Sequence, residues 1–261
     1  MEKQDAPRVS IVVPVYNEAD NISILGDEIN AAMAGVPWSW ECVWVDDGST
    51  DTTVSEIERL VAACPERHRY VLLARNFGQA AAMYAGFRSA AAPVIVTMDG
   101  DGQNDPADIP KLVERLFETG ADLVNGVRQK RKDNLVRKIS SKIANAFRNW
   151  VTGESVTDVG CSLRAFKAEF VKDVVLFKGM HRFLPTLMRL NGCSSVVEIP
   201  VNHRPRKRGV SKYGINNRLW VGLLDTFGIK WLKMRAVRPE IGRVSGLTAS
   251  SENSRPQRER A

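Results

Sequence analysis

The sequence is poor in the residues that build disulfide frameworks and zinc sites. It has only three histidines, and its four cysteines (Cys42, Cys64, Cys161 and Cys193) lie far apart with no CxxC pair. Structural zinc sites and small disulfide-rich domains place such residues at short, regular spacings. The pattern therefore argues against both, and it favours a chain that works in a reducing cytoplasm.

The sequence also has no apolar run long enough to cross a bilayer. Its longest nearly apolar stretch, Leu219–Ile229, is interrupted by Asp225. That stretch falls far short of the roughly 20 residues that a spanning helix needs. The polar start of the chain does not resemble a secretory signal. We therefore expect neither a transmembrane helix nor a signal peptide.

Several nucleotide-binding and hydrolytic motifs are absent. The sequence contains no GxxxxGK[ST], no GxGxxG and no GxSxG. These motifs are typical of P-loop NTPases, nicotinamide-dependent dehydrogenases and serine hydrolases, respectively. Their absence argues against all three classes of enzyme.

Charge is distributed unevenly along the 261 residues. Residues 1–127 hold 9 Lys and Arg against 20 Asp and Glu, whereas residues 128–261 hold 28 against 10. This division indicates an acidic, metal-binding half and a basic half that meets phosphates or an anionic membrane. Two differently solvated surfaces, or a nucleic-acid partner, are the alternatives.

Apolar, β-branched segments alternate with segments of helical periodicity in the first half. The predicted strands are 8–16, 40–45, 70–74 and 94–98. The predicted helices are 19–34, 52–63, 79–91 and 106–119. This alternation predicts an α/β fold with a mostly parallel central sheet flanked by helices. In such a sheet, ligands bind beyond the carboxyl ends of the strands.

The second half is less regular. We predict a basic amphipathic helix over 133–151, a strand over 196–201 and a second amphipathic helix over 215–234. Tryptophans among lysines and arginines in the last segment suit a membrane interface, although an ordinary core-packing helix is the alternative. The polar end predicts a disordered tail. The predicted division is a catalytic domain over 1–213, an interfacial segment over 214–240 and a tail over 241–261.

Two aspartates follow the fourth predicted strand. Asp99 and Asp101 lie two residues apart among glycines, with Gln103 next to them. Such carboxylates can point together at one hard cation, which commonly bridges substrate phosphates. A solvated Asx turn is the alternative. The position after a buried strand favours the cation site.

Polar residues also follow the other predicted strands. Asp47 could accept a hydrogen bond from a nucleobase, and Tyr16 could pack on a base or ribose. Residues 49–51 could also cap the next helix. In the basic half, Arg137 and Ser141 share one face of a predicted helix. Arginines and lysines crowd residues 204–212, and guanidinium groups suit phosphate oxygens.

These motifs, in this order, resemble the family 2 glycosyltransferases of the GT-A type. They are most similar to the polyprenyl-phosphate sugar transferases, such as dolichol-phosphate mannose synthase and the bacterial undecaprenyl-phosphate glycosyltransferases. The matching stretches are VSIVVPVYNE (9–18), VDDGSTD (45–51), ARNFGQ (74–79), MDGDGQNDP (98–106), GVRQKRKD (126–133), DVGCSLRAFK (158–167) and RPRKRGVSKYG (204–214). They span about residues 8–214.

The resemblance implies a GT-A fold and roles for particular residues. The implied nucleotide-sugar ligands are Pro14, Tyr16, Glu18, Val45, Asp47, Asp99, Gly100, Arg206 and Lys212. The implied ligands of Mg²⁺ or Mn²⁺ are Asp99, Asp101 and Gln103, and those of the acceptor phosphate are Arg128, Arg137 and Ser141. The implied catalytic residues are Asp99, Asp101, Arg206 and Lys212.

The implied reaction is a metal-dependent, inverting transfer of a sugar from a nucleoside diphosphate to undecaprenyl or dolichyl phosphate. A phosphate monoester has a second pKa of about 6, so this nucleophile needs no strong general base near neutral pH. The alternatives are the same fold acting on a saccharide or protein acceptor, and a non-catalytic polyanion-binding protein.

The resemblance also implies a site of action and partners. We expect a peripheral protein at the cytoplasmic face of an anionic membrane, acting on cell-envelope glycan precursors. A separate membrane protein and a second copy of the chain stay open as partners. Nucleic acid is not expected, because no interleaved basic and aromatic pattern occurs. The donor stays open between UDP-linked and GDP-linked sugars.

Overall fold

The computed structural model describes residues 6–129, 146–154, 156–205 and 218–237. A seven-stranded sheet forms its centre, in the order β3-β2-β1-β4-β6-β5-β7. The strands are β1 (Val9–Val15), β2 (Trp40–Asp46), β3 (His68–Leu72), β4 (Val94–Thr97), β5 (Leu123–Arg128), β6 (Arg164–Lys167) and β7 (Val196–Val201). The helices are α1 (Ala19–Ala32), α2 (Thr53–Ala63), α3 (Gln79–Ser89), α4 (Ile109–Thr119), α5 (146–152), α6 (Leu184–Leu190) and α7 (Arg218–Arg235).

The sheet is mostly parallel, which confirms the predicted fold class. β1 pairs in parallel with β2 and β4, β2 with β3, and β5 with β7. Only β6 is antiparallel to its two neighbours, β4 and β5, among the described strands. The carboxyl ends of β1, β2, β3 and β4 therefore meet at one edge, where the sequence motifs were expected to gather.

Helices cover both faces of the sheet, and side chains of β1 alternate between them. Val9, Ile11 and Val13 pack in the cluster formed with α1, α2 and α4. Val12 packs in the opposite cluster with Phe87 of α3 and with side chains of α6. All seven residues of β1 are buried. A nearly continuous apolar sequence is what a parallel strand covered on both faces requires.

Several elements differ from the sequence-based expectation. β3 begins and ends two residues earlier than predicted, because the polar residues His68 and Arg69 are part of the strand. β5, β6 and α6 were not predicted, although β6 and β5 lie inside the sheet between β4 and β7. The predicted helix over 133–151 is seen only as α5, since residues 130–145 lie outside the described residues. The predicted tail over 241–261 also lies outside them.

Helix α7 presents apolar side chains to solvent. It buries Ile229 against the domain, whereas Leu224, Phe227, Trp231 and Met234 are 55–72% exposed. The Phe227 ring lies 6.2 Å from that of Phe147 on α5, and the neighbouring Trp150 is also exposed. The exposed apolar strip therefore extends over α5 and α7. Within the part of the chain that the structure describes, no helix has the length and apolar character needed to span a bilayer.

Candidate active site

The loops that follow β1 and β2 are joined by hydrogen bonds. Asn17 has φ 50°, a left-handed conformation that asparagine tolerates better than most residues. Its backbone N–H donates to Ser49 Oγ over 2.8 Å, and its Oδ1 accepts from the Thr50 N–H over 2.8 Å. The Glu18 N–H donates to Thr53 Oγ1 over 2.9 Å. The two loops are therefore joined into one hydrogen-bonded surface, which forms the floor of the site.

The residues that the sequence assigned to the nucleotide lie on and around this floor. Pro14 and Val45 are buried within β1 and β2. Tyr16 directly follows β1 and is partly exposed. Glu18 precedes α1, and its Oε2 accepts from Asn21 Nδ2 over 2.6 Å. Tyr16 and Glu18 can therefore be reached from solvent, while Pro14 and Val45 can contribute only through backbone and shape.

Asp47 holds the loop between β3 and α3. Its carboxylate accepts from Asn76 Nδ2 over 3.0 Å and from the backbone N–H groups of Phe77 and Gly78, each over 2.8 Å. Burial raises the pKa of Asp47, and these backbone hydrogen bonds oppose the rise. Sequence reasoning did not foresee this structural use of Asp47. A contact with a nucleobase would have to use the lone pairs that these donors leave.

Asp99 is held from both sides at the end of β4. Its Oδ1 accepts from Gln79 Nε2 over 2.8 Å, and its Oδ2 accepts from Ser162 Oγ over 2.7 Å. The Asp99 N–H donates to Asn104 Oδ1 over 2.8 Å. Burial, and then the negative charge of Asp101, raise the pKa of Asp99 to about 6. Gln79 and Ser162 therefore fix the direction in which this carboxylate points.

Asp101 lies beside Asp99 in a tight loop. Its Oδ1 accepts from the Gln103 N–H over 3.0 Å, so an Asx turn is present as well as a pair of neighbouring carboxylates. Between the aspartates, a Cβ on Gly100 would lie 2.4 Å from Val15 Cγ1 and 3.1 Å from the Pro14 oxygen. Only glycine lets the loop lie this close to β1.

The two aspartates fit a hard divalent cation. Both supply oxygen, and a cation between them would offset the repulsion that contributes to the raised pKa of Asp99. Among the described residues, no cluster of three or more Asp, Glu, His or Cys side chains has the geometry of a metal site. The remaining ligands of Mg²⁺ or Mn²⁺ would be the side-chain oxygen of Gln103, as the resemblance implies, together with water and substrate oxygens, as is common for Mg²⁺.

Arg128, to which the resemblance assigned the acceptor phosphate, is engaged by a carboxylate. Its Nε and Nη2 donate to the two oxygens of Asp158, each over 2.8 Å, and both side chains are largely buried. A Cβ on Gly160 would lie 2.7 Å from Arg128 Nη2. A phosphate at Arg128 would have to share this guanidinium with Asp158.

Four other predicted site residues cannot be placed. Arg137 and Ser141 lie outside the described residues, as do Arg206 and Lys212. The structure does show how the segment leading to the last two is anchored. Arg204 forms ion pairs of 2.7 Å with Glu28 and with Asp105, and its N–H donates to the Gln103 oxygen over 2.9 Å. The start of the basic segment is therefore held against the loop that carries Asp99 and Asp101.

A cavity of about 350 Å³ opens beside Asp99. The polar side chains on its wall include Gln79, Ser162, Arg148, Arg164, His181 and Arg182. Sequence reasoning assigned none of these six residues a role. Gln79, Ser162 and Arg164 belong to stretches that carried the resemblance. Their place in those motifs could have marked them as site residues. Arg148 and Arg182 belong to segments with no such motif.

Comparison with known proteins agrees with this geometry. The chain is 42% identical over 233 residues to dodecaprenyl-phosphate galacturonate synthase of Rhizobium johnstonii, covering 88% of this chain and 69% of the relative. It is 40% identical over 210 residues to undecaprenyl-phosphate 4-deoxy-4-formamido-L-arabinose transferase of Pectobacterium carotovorum, covering 80% and 63%. The chain thus spans about two thirds of the length of these curated relatives.

A solved structure shares the fold. Glucosyl-3-phosphoglycerate synthase from Mycobacterium tuberculosis, in complex with Mn²⁺, UDP-glucose and phosphoglyceric acid, superposes with a TM-score of 0.64 at 20% identity, covering 85% of this chain and 80% of that one. The architecture is that of the GT-A glycosyltransferases. The model of glycosyl transferase family 2 matches residues 10–175, and the chain therefore belongs to that family.

Proposed function

We propose that the protein transfers a sugar from a nucleoside diphosphate to a polyprenyl phosphate, with Mg²⁺ or Mn²⁺ bound at Asp99 and Asp101 and with inversion at the anomeric carbon. The observation that carries the proposal is the pair of neighbouring carboxylates at the end of β4, beside a cavity of about 350 Å³. In an α/β sheet of this kind, substrates bind at that edge.

The names of the relatives support the choice of acceptor. The two curated relatives named above are a dodecaprenyl-phosphate synthase and an undecaprenyl-phosphate transferase, and they differ in the sugar. A nucleotide sugar with a divalent ion is supported by the structural neighbour, which holds UDP-glucose and Mn²⁺. Transfer of a sugar to a polyprenyl phosphate combines these features.

The residues around the ion have separable roles. Asp99 and Asp101 would bind the ion, while Gln79 and Ser162 keep the Asp99 carboxylate in place. When bound, such an ion neutralises negative charge on a departing diphosphate. Gln103 would supply a side-chain oxygen to the ion, and its backbone N–H holds Asp101. Because these hydrogen bonds already hold the two carboxylates in place, the side chains need to move little when the ion binds.

Basic residues would hold the other phosphate groups. Arg206 and Lys212 would lie over the donor diphosphate, and Arg204 anchors the start of their segment. Arg128, with Arg137 and Ser141, would position the acceptor phosphate. Because that phosphate is already anionic near neutral pH, these residues need only place it in line with the anomeric carbon.

The exposed strip of α5 and α7 would bring the protein to its lipid substrate. Phe227, Trp231 and Met234 are exposed along α7, with Lys230 and Lys233 on the same helix. Aromatic and basic side chains on one helix suit the interface of an anionic membrane. We propose that residues 1–213 form the catalytic domain, that residues 214–240 lie at the cytoplasmic face of the membrane and that residues 241–261 form a disordered tail.

The decisive test uses Asp101→Ala in a transfer assay with undecaprenyl phosphate, Mn²⁺ and a panel of nucleotide sugars. We expect a loss of at least a thousandfold, because the ion loses one of its two carboxylates. Asp173→Ala serves as a control, since Asp173 is an exposed carboxylate in a surface ion pair. Unchanged melting temperatures would show that both variants fold.

Two results would count against the proposal. Full activity of Asp101→Ala, or undiminished activity with excess EDTA, would contradict the metal-dependent mechanism. Transfer to a saccharide or protein acceptor, with none to polyprenyl phosphate, would contradict the choice of acceptor.

A further inference from the structure

We infer that Arg204 sets the affinity of the site for its divalent ion without being a ligand, because it holds the loop that carries Asp99 and Asp101 in the shape that binds the ion. Arg204 is therefore a positioning residue. The inference rests on the proposed function and extends it to a residue outside the set of ion ligands.

Each of the two aspartates is held by a residue that follows it in the same loop. The Gln103 N–H donates to Asp101 Oδ1 over 3.0 Å. The buried Asn104 accepts from the Asp99 N–H through its Oδ1 over 2.8 Å, and the same oxygen lies 2.9 Å from Ser162 Oγ. The directions of both carboxylates therefore depend on where the backbone of residues 103 and 104 lies.

The chain that follows β7 lies alongside this part of the loop. His203 and Asn104 form an isolated antiparallel bridge, and the Arg204 N–H donates to the Gln103 oxygen over 2.9 Å. Gln103, whose side-chain oxygen would also serve the ion, is thus held through both of its peptide groups: its N–H is bound to Asp101 and its carbonyl to Arg204. A shift of residues 203 and 204 would therefore move the ion loop as well.

The Arg204 guanidinium fastens this segment to two carboxylates on different elements. Its Nη2 donates to Asp105 Oδ1 in the ion loop, and its Nη1 donates to Glu28 Oε2 on α1, each over 2.7 Å. Hydrogen bonds between charged groups are short and strong. Helix α1 packs into the core through Leu25 and Ile29, so it offers a fixed point of attachment. Arg204 thereby joins the ion loop to the core of the domain.

The charge of Arg204 makes this role distinguishable from a purely electrostatic one. Arg204 and Asp101 line one cavity of about 160 Å³, so the guanidinium lies near the ion loop. A positive charge there repels a divalent cation. If Arg204 acted through its charge alone, its removal would leave Glu28 and Asp105 uncompensated and would strengthen ion binding. Removal of a positioning residue would weaken ion binding, so the two roles predict changes of opposite sign.

Direct contact with a substrate phosphate is a less suitable role for Arg204. Both of its terminal nitrogens already donate to carboxylates. A phosphate would have to displace Glu28 or Asp105, and the negative charge of the displaced side chain would oppose it. The bonds of Arg204 therefore suit support of the loop better than substrate binding.

The test measures Mn²⁺ binding to the full chain, so no turnover is needed. Electron paramagnetic resonance follows the loss of the free Mn²⁺ signal during a titration, first with Mn²⁺ alone and then with UDP or GDP, against protein-free blanks. We expect Arg204→Gln to weaken Mn²⁺ binding about tenfold, because partners that orient metal ligands typically contribute about 10- to 100-fold to affinity. Melting temperatures check that the variant folds.

A second variant separates position from charge. Arg204→Lys keeps the positive charge, but an ammonium group is a compact point charge and cannot hold two carboxylates as the guanidinium fork does. We expect its Mn²⁺ affinity to lie between those of the wild type and Arg204→Gln.

The matched control is Arg189→Gln. Arg189 forms an ion pair of 2.8 Å with Glu154, which joins α6 to the segment after α5, and its side chain is 30% exposed against 33% for Arg204. Arg189→Gln should lower the melting temperature and leave Mn²⁺ binding unchanged. A general loss of stability is thereby separated from a loss of ion affinity.

Transfer kinetics give an independent measurement of the same effect. In Arg204→Gln, the Mn²⁺ concentration that gives half of the maximal rate should rise about tenfold. The rate at saturating Mn²⁺ should approach that of the wild type, because the residues that would contact the substrates are intact.

The possible failures are distinct. If Arg204→Gln leaves Mn²⁺ binding unchanged or strengthens it, or if Arg189→Gln weakens it equally, the inference is overturned and the proposed function stands. If calorimetry shows weaker binding of UDP or GDP while Mn²⁺ binding is unchanged, Arg204 serves the nucleotide directly, and the inference is again overturned. If Arg204→Gln does not fold, Arg204→Lys decides by the same criteria. If Mn²⁺ does not bind the wild type, alone or with UDP or GDP, the proposed function falls, and the inference falls with it.

Discussion

The buried histidine of β3 predicts a measurable loss of stability at mildly acidic pH. His68 is 1% exposed. Trp44 Nε1–H donates to His68 Nδ1 over 3.1 Å, so this nitrogen must be unprotonated. His68 Nε2 lies 3.0 Å from Asn30 Oδ1 and donates its proton there. Protonation of Nδ1 would turn one hydrogen bond into a contact between two donors inside the core. Burial accordingly lowers the pKa of His68 to about 4.

The sign and size of the effect follow from linkage. The usual pKa of histidine, 6.5, applies to the unfolded chain. Between pH 4 and 6.5 the unfolded chain therefore binds a proton that the folded chain does not, so the free energy of unfolding rises with pH. The contribution is fully present above pH 6.5 and is lost as the pH falls towards 4. At 1.36 kcal/mol per pKa unit, the full loss is about 3 kcal/mol.

Urea unfolding at a series of pH values between 7.5 and 4.5 measures this loss. The control is His68→Gln, which keeps an acceptor for Trp44 and a donor for Asn30 but does not titrate. Contributions of all other titrating groups cancel in the comparison. We expect the free energy of unfolding of the wild type to fall about 2–3 kcal/mol more than that of the variant. Parallel curves, or a His68 titration near pH 6.5 in the folded protein, would refute the reasoning.

Two further predictions concern the site. Gly100→Ala places a Cβ 2.4 Å from Val15 Cγ1, so it should lower the free energy of unfolding by about 1–3 kcal/mol and weaken Mn²⁺-dependent nucleotide binding. Thermal melts and calorimetry check this, and wild-type values in both would contradict the close contact. Asp158→Ala leaves Arg128 largely buried without its carboxylate, so urea unfolding should show a loss of about 3 kcal/mol. A loss below about 1 kcal/mol would mean that the ion pair is well solvated.

Local sequence patterns predicted the strands and helices in which apolar residues form a clear run or recur at a regular spacing. β1, β2 and β4 are mostly apolar strands, and α1 to α4 have clear helical periodicity, so their positions followed from the sequence. The gathering of Asp47 and Asp99 at one edge of the sheet also followed, because parallel strands end on the same side.

Features that depend on contacts between distant segments could not be predicted in this way. β6 has four residues, two of them Arg and Lys, and it is a strand only because it pairs with both β4 and β5. The pairing of Arg128 with Asp158 joins residues 30 positions apart. Arg148 and Arg182 lie on the wall of one cavity only after α5 packs beside the turn before α6.

The reversed direction of β6 affects how the edge of the sheet is built. Because β6 runs opposite to β4, Arg164 pairs with Thr97, and the start of one strand meets the end of the other. The Thr97 hydroxyl donates to the backbone oxygen of Ser162 over 2.6 Å, and the side-chain hydroxyl of Ser162 donates to Asp99. A segment some sixty residues further along the chain thereby contributes to the wall around this aspartate. Exchanges at positions 159–161 would therefore reshape that wall while Ser162 still holds Asp99 and the aspartate loop stays close against β1.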